Sequence, residues 1–541
     1  MPHPDMKRRV LLIIYNAAHF RELFRLAKML ISSGLYVPMI LFVSPYPTLG
    51  EHYQCCLDYG INTWVRGQPL VPRKRAWWTT PLLLPSLLVN AVRFMARWAL
   101  PTFLRKLLMG SVAKVRKRLL LIWIQIADHL RETKLRFLER LRASDLVLVH
   151  LIRAYKQLRY CRHVCKILRP DLVVLAEDNV EYISGAWVRA AHFLQIPVLI
   201  VPYCLAGAEE PAAVYLHDAR HHADAQKNRS LARLYPHWVY EYQGRRLVRL
   251  PASRALPLEW LRISSPLPWL MNSTYADAIA VESPFMKNFY QRQGISPSQL
   301  VITGTASDDM MYRVLENLHC YRNELYAQYG MLPDRPMLLC ALPPITSAMS
   351  ALREEFLDYQ EMIRFWLDSL RKIEGYNIFI SLHPTMNYWD FAFLDEGGWW
   401  GIAIAPPDTS RMIALCDIYI ASVSSTIRWA IACGKPVINY DVYRFRFPDF
   451  RPARGVVTVE KKEDFRRVLW RLTSDSRYYQ VLQQAQLESR KYWGMIDGKS
   501  DERLLALMGR LIAQYQHAPQ PSATRKLPYF PRAVFRSKQA A

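Results

Sequence analysis

The sequence predicts an α/β protein of two doubly wound domains, and three observations carry this expectation. Short apolar runs recur at 10–14, 172–176, 337–341, 377–382, 417–421 and 436–440, each the length of a strand buried on both faces. Stretches with helical periodicity lie between them, as parallel strands require. At 541 residues, with 51% hydrophobic and 22% charged side chains, the chain has material for at least two cores.

Taken in order, Met6-Lys7-Arg8-Arg9 precedes the run 10–14, which is too short for a signal peptide core and reads as strand one. No window offers about 20 consecutive apolar residues, so no transmembrane helix is expected. A helix over 20–33 ends at Gly34, and a strand follows at 36–43. Pro38 withholds a ladder donor there, which places the strand's start at an edge or bulge. The loop after strand one has no Gly-rich fingerprint, so it does not speak for NAD or FAD.

Residues 76–142 break the pattern. Leu runs and Trp77, Trp78, Trp98 and Trp123 alternate with Arg93, Arg97, Arg105, Lys106, Lys114, Arg116, Lys117 and Arg118. Basic helices with interfacial aromatics suit an anionic membrane surface. A helical hairpin packed on its own domain fits the same residues.

Residues 146–151 read as a strand or a helix start, followed by a helix over 154–168. The strand 172–176 runs into Glu177-Asp178-Asn179, then come a helix over 184–194 and a strand at 198–201. The stretch 218–270 is polar and irregular. His217, His221 and His222 lie near its start without a carboxylate or Cys at ligand spacing, which reads as a solvated helix face. Strands at 277–281 and 300–303 close the first half. The second half places strands at 337–341, 377–382, 402–405, 417–421 and 436–440, with helices over 349–373, 427–433, 462–475 and 477–508. Asp308 and Asp309 read as helix caps.

Nine Cys, an odd number without zinc-type pairing, read as reduced thiols of a cytosolic protein. The formal charge of +25 calls for an anionic partner. Charge alone permits nucleic acid, but no RNA- or DNA-binding motif is present.

In open α/β sheets, ligands bind beyond the carboxyl ends of the strands. Four polar loops of the second half lie there: 343–347, His383-Pro384-Thr385, Pro406-Pro407 and Ser424-Ser425-Thr426. A His on one loop and hydroxyls at a helix start on another would grip a diphosphate or phosphodiester without a metal. His383 equally reads as a strand-end histidine bonded to backbone, and Ser424–Thr426 as an ordinary serine cap.

The second half resembles the GT-B superfamily of two-Rossmann glycosyltransferases and the related non-hydrolysing UDP-GlcNAc 2-epimerases. The matching residues are Val301-Ile302-Thr303-Gly304-Thr305, His383-Pro384, the strand–Ser424-Ser425–helix unit and Gly434-Lys435-Pro436-Val437. The His-Pro and Ser-Ser pair is similar to polysialyltransferase-like, Kdo-transferase-like and CDP-glycerol-transferase-like proteins of bacterial capsule and lipopolysaccharide synthesis. Asp497-Gly498-Lys499-Ser500-Asp501-Glu502-Arg503 resembles a tail signature of such enzymes. The element order covers the whole chain, and the specific motifs lie between Thr303 and Arg503. The epimerases carry a ribose-binding glutamate where this chain has Arg428, Trp429 and Ala430. That departure speaks against the epimerase reading and a UDP assignment and favours a CMP- or CDP-linked donor among the CMP-, CDP- and UDP-linked ones.

The resemblance implies a GT-B-like fold with two Rossmann-like domains facing a cleft. Residues 1–310 would form the acceptor domain with the insertion 76–142, and 311–500 the nucleotide-sugar domain. A terminal helix at 501–516 and a disordered tail at 517–541 would follow. It implies a metal-independent, inverting glycosyltransferase of surface-polysaccharide assembly, with a saccharide or lipid-linked acceptor, peripheral at the cytosolic face of the inner membrane. The nucleotide sugar is a substrate, so no cofactor is called for. Gly304, Thr305, Pro343, Pro344, His383, Pro384, Thr385, Ser424, Ser425 and Thr426 would hold the donor. The general base would be Glu177 or Asp178, with His19 as a further candidate. Asp178 or Asn179 also fits as a helix cap, and His19 as a helix-start residue without a role. Alternatives are a sugar-nucleotide 2-epimerase, a CDP-glycerol-type phosphotransferase, and a non-catalytic binding protein of the same fold.

Overall fold

The computed structural model describes residues 7–68, 145–205, 207–273, 275–345, 354–383, 386–394, 401–447 and 449–517. The insertion 76–142, with both of its readings, lies outside these residues, as do Pro384, Thr385 and the tail from 518 onward. The chain divides into a unit over 67–153 and a larger unit comprising the rest. Both large sheets belong to the larger unit.

The first sheet contains β1 (Arg8–Ile14), β2 (Tyr36–Phe42), β3 (Asn62–Val65), β4 (Leu172–Leu175), β5 (Val198–Ile200), β8 (Ala278–Val281) and β9 (Leu300–Ile302). Its strands are parallel and ordered β3-β2-β1-β4-β5-β8-β9. The second sheet contains β10 (Met337–Ala341), β11 (Asn377–Ser381), β12 (Ile402–Ile404), β13 (Ile418–Ala421), β14 (Val437–Tyr440) and β15 (Val456–Val459). It is also parallel, ordered β12-β11-β10-β13-β14-β15. Counted within each sheet, both orders begin 3-2-1-4-5-6, the doubly wound arrangement, and the first adds an edge strand. The expected α/β architecture of two doubly wound, Rossmann-like sheets is therefore present.

Seven helices position the features that follow: α1 (Ala17–Ser32), α2 (Val147–Leu168), α3 (Gly185–Phe193), α4 (Ala306–Glu316), α5 (Thr409–Leu415), α6 (Ile427–Ala432) and α7 (Ser500–His517). Each lobe has its own core. Val10, Leu12 and Ile14 pack with Leu23, Leu30, Val174 and Leu199 in the first. Leu338, Trp366, Ile420, Tyr440 and Phe465 pack in the second. Burying each such side chain contributes about 1.5–3 kcal/mol.

Several local expectations are corrected. Of the two readings of 146–151, a strand is excluded and the helix start holds, since from Val147 these residues open the long helix α2. Pro38 lies in a strand with neighbours on both sides, but β3 joins only from Met39, so at Pro38 the sole register partner is Val10 on β1. The polar stretch 218–270 contains an antiparallel hairpin, β6 (Val239–Tyr242) and β7 (Arg245–Val248). Gln243 and Gly244 turn it with φ of +48° and +73°, the two-residue geometry that matches strand twist. His221 is buried, not on a wet helix face: its ring stacks 3.8 Å from Tyr215, and its Nδ1 lies 2.9 Å from the Val248 carbonyl oxygen. The expected helical run 477–508 breaks after Trp493.

Beyond that break the chain returns to the first lobe. Leu504, Leu507, Met508, Leu511 and Ile512 of α7 complete the core around β1 and β4. The outgoing and returning segments are bonded together. Asp309 accepts from the Ser500 and Asp501 amides, each at 2.9 Å, and Arg503 donates to the Thr303 carbonyl at 2.9 Å. A Cβ on Gly304, whose φ is +73°, would sit 2.1 Å from Ser500 Oγ, so the clasp admits only glycine there.

Candidate functional site

In each sheet the first and fourth strands are neighbours with chain departures in opposite directions, which opens a crevice beyond their carboxyl ends. In the first sheet these are β1 and β4. The β1 loop passes through Asn16, which caps α1 by accepting the His19 amide at 3.0 Å. That cap sets His19 in the first turn of α1. The β4 strand continues through Ala176 to Glu177 and Asp178. Across the crevice His19 Nε2 lies 2.8 Å from Glu177 Oε1, with the side chains 0% and 2% exposed. The rings of Tyr15, Tyr182 and Tyr203 surround the imidazole at 5.9, 6.1 and 5.0 Å. His19 Nδ1 and Glu177 Oε2 are buried without a hydrogen-bond partner. Buried polar atoms are nearly always paired, so two orphans on one dyad call for an explanation.

Asp178 is held differently. Its amide donates to Asn272 Oδ1 at 3.1 Å, and its carbonyl accepts the Asn272 amide at 3.2 Å. It does not cap α3, which starts only at Gly185. Asn179 accepts the Glu181 amide through its side chain. Glu177 is joined to a second titratable group, His19.

In the second sheet the crevice lies beyond β10 and β13. After β10, the Pro343 carbonyl accepts the Tyr359 hydroxyl at 2.8 Å and the Pro344 carbonyl accepts the Tyr443 hydroxyl at 2.5 Å. After β13 the chain turns sharply at Val423, with φ +44°, strained for a β-branched residue. Asn439 on β14 holds the turn by accepting the Val423 amide at 2.8 Å. The hydroxyls that follow are spent on one another: Ser424 Oγ and Tyr419 Oη lie 2.7 and 2.6 Å from Thr426 Oγ1. Thr426 makes no side-chain cap to α6, and α6 has six residues where seven were expected. The short helix lends little dipole to an anion. The Ser425 hydroxyl has no hydrogen-bond partner among the described residues.

His383 follows β11 on the same rim. Ile380, Cys340, Ile420 and Ile438 align across four strands, so the loops beyond them leave from one edge. β11 and β13, which lead into His383 and Ser424–Thr426, flank β10 two strand spacings, about 10 Å, apart. His383 is solvent-exposed at its loop. Even so, the enclosing protein, and then the Arg21 guanidinium, push its pKa down to about 4. The ring is neutral at pH 7.

The two rims face each other. Arg25 of α1 donates to Asp408 at 2.7 Å, and Asp408 caps α5 beyond β12. Arg428 of α6 pairs with Glu282, the residue after β8, and donates to the Tyr203 carbonyl at 3.4 Å. Arg428 and Glu282 are 3% and 4% exposed. Sequence reasoning noted Arg428 only as a departure from a ribose-binding glutamate. Glu282 ends an apolar strand just as Glu177 does, and that shared pattern was the available signal. Gly304 and Thr305 follow the edge strand β9 and lie in the clasp between lobes. There Thr305 closes a capping box with Asp308, whose carboxyl is pushed up to about 7, first by burial.

No protein-family model and no curated protein matches the chain. Among solved structures it is similar to the S. aureus MnaA–UDP co-structure, at 13% identity over 95% of this chain and 99% of that one, with a TM-score of 0.47. CalG4, the calicheamicin glycosyltransferase, matches at 14% identity over 95% and 100%, with a TM-score of 0.46. The wall teichoic acid polymerase TagF matches at 12% identity over 64% and 74%, with a TM-score of 0.41. These values assign no activity. The strand orders of the chain itself make it an α/β protein with two doubly wound, Rossmann-like sheets.

Proposed function

We propose that the protein is a glycosyltransferase that moves a sugar from a nucleotide donor to an acceptor hydroxyl. The single observation that carries this reading is the buried His19–Glu177 pair, in the first sheet's crevice and on the rim that faces the second sheet. Glu177 takes the Nε2–H bond and fixes the tautomer, which leaves Nδ1 with a lone pair. Nδ1 accepts the acceptor's hydroxyl proton as that oxygen bonds to the anomeric carbon. The bond from that carbon to the donor phosphate breaks, and the nucleotide leaves with the electron pair. Glu177 offsets the imidazolium charge. This assigns proton transfer to His19 and orientation to Glu177, with Asp178 outside the dyad.

The donor phosphates fit the second crevice, between neutral His383 and the Ser425 hydroxyl, with Ser424 and Thr426 shaping the turn. His19 has no exposed surface, so an acceptor reaches it only when the surrounding tyrosines or the rims move apart. The resemblance of the His-Pro, Ser-Ser and tail motifs supports surface-polysaccharide assembly, with a lipid-linked or saccharide acceptor.

A thermal-shift screen against CMP-, CDP-, UDP- and GDP-linked compounds tests the reading, because a ligand of the folded state raises its midpoint by mass action. One nucleotide class should raise it, and H383A should lose most of the rise. No rise with any class refutes donor binding. Conversion of a bound nucleotide sugar to its 2-epimer without an acceptor replaces transfer by epimerisation.

A further inference from the structure

We propose that the outer face of α2 and α3 docks the first lobe onto an anionic lipid bilayer. From Ala154 onward, α2 buries Ala154, Gln157, Cys161, Val164, Cys165 and Leu168 against the lobe. The opposite face exposes Tyr155, Lys156, Arg159, Arg162 and Lys166, at spacings that keep them on one side of a helix. Neither α2 nor α3 contains an Asp or Glu. Lys156, Arg159, Arg162 and Lys166 have no carboxylate partner among the described residues. The Arg162 guanidinium lies 3.7 Å from the Phe193 ring centroid and so joins the end of α3 to the patch. Arg189 of α3 donates to the Arg262 carbonyl at 3.4 Å. At the Lys166 end the face meets a groove of about 410 Å³, lined in part by Arg9, Lys166, Arg169 and Tyr515.

Two features select lipid over nucleic acid. The cations alternate with exposed apolar surface: Tyr155 is 50% and Phe193 61% exposed. Rings of this kind insert at the headgroup level while Lys and Arg meet the phosphates. The chain that leads into α2, residues 69–144, has sixteen Lys and Arg against three Asp and Glu, together with four Trp. The proposal stands on this charge pattern whether or not the protein is a transferase.

The test is co-sedimentation of the full chain with phosphatidylcholine vesicles, with and without phosphatidylglycerol. Wild type should bind only the anionic vesicles, and less at high salt. A cation beside such a surface is worth about a fivefold change in partition. K156E/R159E/R162E/K166E, confirmed folded by its melting curve, should bind at least a hundredfold more weakly. F193A, which removes no charge, should bind severalfold more weakly at high salt. Unchanged partition of the fourfold variant overturns the proposal. So does wild type that ignores anionic vesicles while binding a mixed-sequence oligonucleotide.

Discussion

The two crevices of this protein occupy the same place in the same strand order, yet they are furnished differently. Beyond β1 and β4 stands a titratable pair, His19 and Glu177, sealed among tyrosines. Beyond β10 and β13 stand half-buried neutral hydroxyls on a strained turn, with a histidine kept uncharged nearby. The first is suited to moving a proton and the second to holding an anion without competing charge. A shared topology therefore supplies two positions and assigns chemistry to neither. The side chains at the strand ends do that.

The largest expected effect breaks the first crevice alone. E177Q keeps the shape but not the charge, and should lower kcat about 10²- to 10⁴-fold, while calorimetric donor affinity stays within twofold. Equal losses in both would place Glu177 with the donor instead.

Next comes the bond between the crevices. R428M strands Glu282 in a site 4% exposed, which should cost about 3–5 kcal/mol in urea unfolding. E282L/R428M should recover most of that. If the double variant is no better than R428M, the pair's cost is not one of unpaired charge.

The clasp gives a pH signature. Asp308, with its pKa pushed up to about 7, holds a proton in the folded protein over roughly pH 4–7, where the unfolded chain has released it. The stability this proton contributes is present below that window and lost as pH rises through 7. The melting point of wild type should therefore fall more from pH 5 to pH 8 than that of D308N. Parallel curves would remove Asp308 from the account.

The smallest effect sharpens the second crevice. N439A removes the acceptor of the Val423 amide and should cost about 1 kcal/mol, with a severalfold loss of donor affinity. Unchanged affinity would mean that the turn does not shape the donor site.

The central strands were legible because a strand buried on both faces must be a continuous apolar run, as at Val10–Ile14 and Ile418–Ala421; the half-exposed edge strands Asn62–Val65 and Val456–Val459 were not legible. The hairpin at 239–248 was not, since its exposed faces carry Glu241, Arg245 and Arg246 and its turn is Gln-Gly. His221 was misplaced for a similar reason: only the fold shows that Tyr215 and the Val248 carbonyl enclose it. Glu177 was legible as a strand-end carboxylate, and His19 as the end of a loop. Their pairing was not, because 158 residues separate them.

What the sequence by itself determined is much of the local order of this protein: where the buried central strands lie, where the helices that end on a glycine stop, and which polar residues follow a strand's carboxyl end. Those follow from periodicity and from the conformational limits of Gly and Pro, which act within a few residues. Only the tertiary structure decided that Glu177 meets His19, that Arg428 reaches Glu282, and that α7 completes the first core. Such contacts depend on sheet order and on the return of the chain between lobes, and neither leaves a periodic mark in the sequence.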